Sequence, residues 1–347
     1  MALLGGSAIG IDLGSERTRI CLNGGVALSE PTAVLVSSAN AQEVLAVGME
    51  AAALSGRAAG QAELLSPVVA GAVADVDMAA LLIVALTEKA AGRKKMFDKA
   101  ALIAPVHGGL TRVERQAARS ALAMTGARRI ATVRESMAGA LGAGLDAAAP
   151  KGQLILLLGG GVAEVAVISM HAVVAERAMR LGGQSLNQAI IDWFLREKGV
   201  LIGPRVAEQL KLDLGTALPC PDDGEYEAVL LKGRDGATGK PASVEIDQRD
   251  VQRALEWPIR QLVDGIRGAL MGVPPELCAD LTETGVTLLG GGSLLHGLAE
   301  RLERETGLPV SSPECPDDAV ALGLTRVAAD DRLFRALVAA GAADDVG

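Results

Sequence analysis

Aromatic side chains are nearly missing from this chain: three Phe, two Trp and one Tyr in 347 residues, about 2%. Any core must therefore be packed from Leu, Val, Ile and Ala. With half the residues hydrophobic, there are enough of these for large cores. A basic field is missing too. The 33 Lys and Arg are outnumbered by 42 Asp and Glu, leaving a net charge of −9 and a pI near 5.0. That argues against a nucleic-acid partner, whose phosphates call for an excess of cations. The four cysteines (Cys21, Cys220, Cys278, Cys315) have no metal-ligand spacing, and beside apolar runs a free thiol acts as a small hydrophobe. No basic segment followed by a long apolar stretch opens the sequence, so no secretory signal is expected. The apolar run from Met78 to Leu86 is far short of the roughly 20 residues that cross a bilayer. A cytoplasmic location is the expectation, and at roughly 150 residues per domain the length suggests two domains.

What is present is glycine in strand–turn–strand settings. Ala8-Ile9-Gly10-Ile11-Asp12-Leu13-Gly14-Ser15 is followed by Glu16-Arg17-Thr18 and the apolar Ile20-Cys21-Leu22. Far along the chain, Leu154-Ile155-Leu156-Leu157-Leu158-Gly159-Gly160-Gly161 is followed by Val165-Ala166-Val167-Ile168. Each reads as a buried strand, a tight glycine turn and a second strand, with main-chain N–H groups exposed at the tip. Two such tips facing each other would clamp the phosphates of a nucleotide. Between them, strands and helices alternate, the α/β pattern.

Strands are expected at Val34–Val36, Val44–Val47 and Ala101–Ala104, the last stopped by Pro105, and helices over 78–90, from Thr111 to Gly126, and over 136–143. Thr111 with Glu114 three residues on has capping-box spacing. Asp146 to Gly152 reads as a crossing between halves. The second half repeats the design: a hairpin over 154–174, helices over 185–198 and 204–214, β structure over 225–246, and a long helix from Val251 to Met271. A strand over 286–289 feeds Gly290-Gly291-Gly292-Ser293, with a helix beginning near Leu294 and a short helix over 333–338.

Several groups are candidates for chemistry, each with a plainer reading. Gly10–Ser15 alone reads equally as a glycine turn with a surface aspartate. Functionally, Asp12 would hold a hydrated Mg²⁺ through waters, and Ser15 with neighbouring amides would cradle a terminal phosphate. Gly290-Gly291-Gly292-Ser293 is either a tight strand–helix turn or a main-chain platform under an adenine or α-phosphate. Glu208 and Lys211 share a helix face, as a solvated ion pair or as flanks to ribose and adenine. Glu135 at a helix start is a dipole partner or a group that positions the attacking water. Arg93-Lys94-Lys95-Met96-Phe97-Asp98-Lys99 is a charged loop, or a loop that sets Met96 and Phe97 into a membrane while cations meet anionic headgroups, at about 1 kcal/mol per cation.

Together these segments resemble the superfamily of actins, heat-shock chaperone ATPases and sugar kinases, and within it the MreB family of bacterial actins. The likeness runs over about residues 8–325. It includes Glu30-Pro31-Thr32-Ala33-Val34, Glu164-Val165-Ala166-Val167-Ile168-Ser169, Lys232-Gly233-Arg234-Asp235 and Pro274-Pro275-Glu276-Leu277. The resemblance implies an actin-like ATPase fold: two duplicated RNase H-like domains with small inserts and a nucleotide cleft between them. Residues 1–146 and 311–347 would form domain I, with an insert near 33–74. Residues 147–310 would form domain II, with an insert near 182–246. It further implies ATP with Mg²⁺, self-assembly into filaments, and attachment to the inner face of the cytoplasmic membrane. Wall-synthesis and membrane adaptor proteins would be partners in organising peptidoglycan synthesis, and no nucleic acid is involved. The nucleotide contacts would fall on Gly14, Ser15, Glu16, Arg17, Gly159, Gly160, Gly161, Glu208, Gln209, Leu210, Lys211, Gly290, Gly291, Gly292 and Ser293. Asp12 would hold the metal through water, Glu135 would be the water-positioning glutamate, and Met96-Phe97 the membrane loop.

The chain also departs from the family pattern. Where the family reads Asp-Ile-Gly-Gly-Gly-Thr-Thr, this chain has Leu157-Leu158-Gly159-Gly160-Gly161-Val162-Ala163. A carboxylate and two hydroxyls are gone. Glu135 is followed by Ser136 rather than Pro, Gln184 stands where an acid is usual, and Glu16-Arg17 replace small or neutral residues, although Arg17 would add charge for phosphate. Loss of a group that orients a metal's water shell is worth roughly 10- to 100-fold, so slow or absent hydrolysis is expected. Two alternatives remain at this level: a nucleotide-independent scaffold, and a small-molecule kinase, which would need a cleft base where Leu157 stands.

Overall fold

The structure, a computed structural model, describes residues 8–54, 60–94, 97 and 100–345. Its first half opens with an antiparallel meander of β1 (Ile9–Leu13), β2 (Arg17–Leu22) and β3 (Gly25–Pro31). A small appended layer follows, made of β4 (Val34–Ser37), β5 (Asn40–Val47), α1 (Gly48–Leu54) and β6 (Ala62–Leu65). The two-residue strands β7 (Val68–Val69) and β8 (Ala72–Val73) lead into α2 (Val76–Ala91), capped by Asp75 and closed by Gly92 at φ 64°. Then come β9 (Ala101–Val106), α3 (Arg112–Met124), β10 (Arg129–Arg134) and α4 (Glu135–Gly142).

The second half holds a second meander, β11 (Gln153–Leu158), β12 (Ala163–Ser169) and β13 (Ala172–Met179). It continues through α5 (Gly183–Lys198), β14 (Val200–Leu201), α6 (Pro204–Leu214), β15 (Val229–Asp235), β16 (Pro241–Ile246) and α7 (Gln248–Leu270). After α8 (Pro275–Thr284), β17 (Val286–Leu289), α9 (Leu298–Thr306) and β18 (Val310–Ser311), the chain returns to the first half. It does so as α10 (Ala319–Ala329), α11 (Asp331–Ala339) and β19 (Ala343–Asp345).

The two main sheets share one plan. The first runs β3-β2-β1-β9-β10, with β19 added at its edge, and the second runs β13-β12-β11-β17-β18. In each, a meander is joined through its first strand to two parallel strands. Parallel strands need both faces covered, and the burial follows: β11, β12 and β17 are almost entirely buried.

Where the halves meet, α4 crosses α10. A Cβ on Gly142 would overlap the carbonyl of Ala319, and one on Gly323 the carbonyl of Ala138, so only glycine permits this approach. Met137, Ala138, Val320 and Leu324 pack there with Ile155, Leu157 and Leu289 from the second sheet. One core thus spans the base of both halves.

Three expectations change. β9 is not stopped by Pro105 but runs to Val106, pairing Pro105 with Val133 of β10. On its other side β1 pairs only with Leu102 and Ile103, so the missing N–H falls where no neighbour needs it. The helix expected near Leu294 is α9, starting at Leu298. Residues Gly291–Leu294 form a 3₁₀ turn first, and Gly297 at φ 70° separates the two. Phe97, expected on a membrane-facing loop, is 3% exposed and packs in the first-half core with Ile9, Leu82 and Leu102. In a chain this poor in aromatics, its large apolar surface is used inside. Met96 lies outside the described residues.

Candidate functional site

Both hairpin tips emerge at the C-terminal ends of their first strands, as does the Gly290 turn after β17. They line a single cleft of about 580 Å³ between the halves, within the usual range for small-molecule sites. Asp12, Gly14, Ser15, Glu16 and Arg17 line it from one side, and Gly159, Gly160 and Gly161 from the other. Gly290, Gly291 and Gly292, Glu208 with Lys211, and Glu135 complete the lining. A separate groove on the second half, about 660 Å³, is filled by ion pairs of Arg301 and Arg260 with Glu256 and carries no comparable main-chain cradle.

The tips touch. A Cβ on Gly160 would lie 2.9 Å from Cβ of Glu16, and one on Gly161 would overlap Ser15 Oγ and sit 2.8 Å from the Gly71 nitrogen. Each turn is closed by its own hydrogen bond, Gly14 N–H to the Arg17 carbonyl at 3.1 Å and Gly159 N–H to the Val162 carbonyl at 2.9 Å. The amides of Ser15, Glu16, Gly160 and Gly161 have no acceptor among the described residues, so they are available to an anion. The N-terminus of α5 buttresses the second tip: Gly183 and Gln184 N–H donate to the carbonyls of Gly159 and Gly160 at 3.0 and 2.8 Å. Gly290, at φ 85°, donates to the Pro316 carbonyl at 2.7 Å, and a Cβ there would overlap the Leu158 carbonyl.

Not every expected contact reaches the cleft. On α6, Glu208 accepts from Lys211 at 2.7 Å and from Asn187 at 2.6 Å, and Lys211 also donates to the Gly183 carbonyl at 3.3 Å. One step round the helix, Gln209 is exposed and donates to Asp213, while Leu210 is buried in the second-half core. The 3.6-residue period turns both away from the lining that Glu208, Lys211 and Leu212 form. Ser293 Oγ turns back to donate to the Gly290 carbonyl at 2.6 Å. Leu294, Leu295 and His296 line the cleft instead. Arg17 reaches the lining, but its guanidinium is committed to Ser29, donating to Oγ at 3.1 Å and to the carbonyl at 3.0 Å.

The electrostatics centre on buried acids. Asp12 is 7% exposed; burial pushes its pKa up to about 6, against the pull of Arg19. Arg19 stands directly cross-strand from it. Its guanidinium lies 3.5 Å from Asp12, 2.6 Å from Asp318 and 3.5 Å from Asp317. Glu135, at the start of α4, is pushed up to about 8 by burial, then by Asp12 and Glu176. Glu164 on β12 is wholly buried beside Glu176 and Ser136. Burial and the neighbouring Glu176 and Glu135 hold it protonated well above the usual carboxylate range. Glu176 pairs with Arg134 at 3.3 Å, joining the two halves.

The acids that line the cleft are Asp12, Glu16, Glu135, Glu208 and Asp317, and a hydrated Mg²⁺ needs only one or two carboxylates besides the phosphates of its nucleotide. On the first hairpin, Asp12 lies 3.5 Å from the Arg19 guanidinium and keeps its oxygens for a cation's waters. Position 157 of the second hairpin is a leucine, 3% exposed and packed against Gly139 of α4, and Val162 and Ala163 supply no hydroxyl. Among the described residues no group of three or more His, Cys, Asp or Glu side chains is placed to hold a metal. A nucleotide does fit, because the amides of Ser15, Glu16, Gly160 and Gly161 have no acceptor among the described residues and the glycines let the two tips approach this closely.

Arg19, Asp317 and Glu164 were not singled out from the sequence. The Asp12–Arg19 register was within reach, because a tight turn at 14–16 sets them opposite. Asp317 and Asp318 lie some 300 residues away in sequence, and no local pattern signals their arrival.

The sequence profile described as MreB/Mbl protein matches residues 6–335. The chain is similar to cell shape-determining protein Mbl of Bacillus subtilis (strain 168), with 33% identity over 316 residues, 91% of this chain and 93% of that one. It is similar to cell shape-determining protein MreB of Escherichia coli (strain K12), with 35% identity over 319 residues, 91% of each. Among solved structures, it resembles MreB5 of Spiroplasma citri bound to AMPPNP, with a TM-score of 0.87, 24% identity, and coverage of 97% of this chain and 99% of that one. The same protein bound to ADP gives a TM-score of 0.84 at 25% identity, covering 93% of this chain and 96% of that one.

Proposed function

The chain belongs to the MreB/Mbl family and has its actin-like fold, and from that premise we propose that it is a bacterial actin that binds ATP in its cleft and assembles into filaments at the inner face of the cytoplasmic membrane. There it organises peptidoglycan synthesis together with membrane adaptor and wall-synthesis proteins. The two domains of this reading are 1–146 with 311–347, and 147–310. The observation that carries it is the convergence of three glycine turns on one cleft. The family's relatives are named for determining cell shape, and solved MreB5 structures hold AMPPNP or ADP.

In this reading the amides of Ser15, Glu16, Gly160 and Gly161 hold phosphate oxygens, and Glu208 with Lys211 flank the sugar and base. Asp12 would hold Mg²⁺ through water, and the second hairpin offers no carboxylate to orient the metal's water shell. Hydrolysis is slow or absent on two counts. Leu157 offers no carboxylate. Glu135, pushed up to about 8 by burial, Asp12 and Glu176, is mostly protonated at neutral pH, which leaves only a small fraction able to take a proton from water.

Membrane attachment rests on the resemblance and not on Phe97, which is buried. No described helix is long and apolar enough to cross a membrane.

Sedimentation with and without ATP, on and off anionic vesicles, tests the reading, together with phosphate release from the pelleted polymer. ATP-dependent, vesicle-enhanced pelleting with little phosphate release is expected. A chain that neither pellets nor melts at a higher temperature with millimolar ATP is a nucleotide-independent scaffold instead.

A further inference from the structure

We propose that a proton held between Glu164 and Glu176, where the two halves meet beside the cleft, couples closure on a nucleotide to proton uptake, so that nucleotide affinity falls as pH rises. The inference rests on the nucleotide-binding reading above and adds its regulation. Both acids stand on one face of the second sheet: Glu164 of β12 is opposite Ala178 and Glu176 of β13 is opposite Ala166, which makes them diagonal neighbours. Glu164 is also opposite Leu157, which packs on Gly139 of α4, so this face looks at the first half. There α4 brings Glu135, with Asp12 beyond it, and the buried Ser136. The end of β10 brings Arg134, paired with Glu176 at 3.3 Å, and the loop after β9 brings His107, which burial holds neutral by lowering its pKa. Three carboxyls thus face one guanidinium. Among the described residues Glu164 has no cation of its own and no exposure to water, and a buried carboxyl on those terms keeps its proton.

This junction can part. At their base the halves share an apolar core under α4 and α10. Beside Glu164 they meet instead through two ion pairs, Arg134 with Glu176 and Glu114 with Arg180, and through Gly108 and Gly109, whose bare main chain lies against Glu176 and Ala178. Partly exposed ion pairs exchange for water at little cost. The phosphate-facing amides are divided between the halves, Ser15 and Glu16 on one, Gly160 and Gly161 on the other, so a nucleotide favours the closed arrangement. Opening lets water reach Glu164, which then titrates near the ordinary 4.5, and closing raises its pKa well above that. The closed state therefore binds the extra proton. Its advantage is full below about pH 4.5 and fades as pH climbs towards the closed-state value. By reciprocity, a bound nucleotide draws the proton in.

The test is calorimetric titration of the full chain with ATP and Mg²⁺ near neutral pH and above, in buffers of different ionisation enthalpy, which counts the protons taken up per nucleotide bound. The parent is expected to take up a large fraction of one proton, and its affinity to fall by up to about tenfold per pH unit between about pH 7 and pH 8.5. Glu164→Gln, which keeps the shape and cannot ionise, is expected to lose most of that uptake and to hold its affinity within about threefold over the same range. Circular dichroism and melting temperature establish that the variant is folded, and if it is not, Glu164→Met, of nearly the same length, takes its place with the same expected outcome. A parent that binds nucleotide without proton uptake overturns the inference and leaves the nucleotide reading standing, as does a position-164 variant whose uptake and pH profile match the parent's. A parent that binds no nucleotide overturns both.

Discussion

The two glycine hairpins have the same backbone plan and opposite chemistry. The first carries Asp12, Ser15, Glu16, Arg17 and Arg19, and its side chains are tied by ion pairs and hydrogen bonds to β3, Gly71 and α10. The second, Leu157-Leu158-Gly159-Gly160-Gly161-Val162-Ala163, offers the cleft main chain and the apolar side chains of Leu157 and Val162, with no side-chain oxygen. Holding a phosphate by amides requires only a tight glycine turn, which both hairpins keep. Activating water beside a metal requires side-chain oxygens on both tips, and the second has none. In the proposed reading the cradle and the chemistry are separable parts of such a cleft: both tips keep the glycine turn, and the second carries no side-chain oxygen between Leu157 and Ala163.

The comparison is broken most severely at Gly161. Gly161→Ala drives a Cβ into Ser15 Oγ and the Gly71 amide. It is expected to part the two tips at a cost of about 1–3 kcal/mol, lowering ATP affinity by roughly 10- to 100-fold in a calorimetric titration. Wild-type affinity in this variant would mean that the tips do not act as a pair.

Leu157→Asp tests whether the second hairpin can be given back its carboxylate. Burying that group against Gly139 and Leu289 should destabilise the apo chain by about 1–3 kcal/mol, read from urea unfolding. In the same variant Mg²⁺ should now raise ATP affinity by roughly 10- to 100-fold.

Glu164→Gln addresses the acids behind the second hairpin. Glu164 is held protonated in the folded chain, so folding takes up a proton wherever the unfolded chain, titrating near the ordinary value of 4.5, has lost it. Stability contributed by this site therefore falls as pH rises above about 4.5, until the folded-state pKa is passed. The amide cannot ionise, so Glu164→Gln should melt about 1–2 °C higher than the parent at pH 7.5, the shift that about 1 kcal/mol produces in a chain of 347 residues. The two should converge near pH 4.5. A variant less stable than the parent at both pH values would give the carboxyl group a structural hydrogen bond rather than a burial cost.

Arg17→Ala should have the smallest effect, changing ATP affinity less than about twofold. Its guanidinium is engaged at Ser29 on the exposed rim, where such contacts contribute little. A tenfold loss would mean that Arg17 leaves Ser29 for the phosphates.

Local chemistry in the sequence determined much of this protein. Alternating strand and helix patterns, glycine turns after buried runs, the Thr111–Glu114 capping box and the glycine stop at Gly126 were all legible, because each depends on residues within a few positions of one another. So was the absence of a carboxylate at position 157. Only the tertiary structure decided which side of each element faces the cleft. It set Lys211 inward while Gln209 faced solvent, drew Phe97 into the core, turned Ser293 back onto Gly290 and brought Asp317 and Asp318 to Arg19 from the far end of the chain. Those outcomes depend on where the two halves meet, and that is settled by the summed packing of α4 against α10 over the shared core, an energy spread across residues too distant in sequence for any short pattern to record.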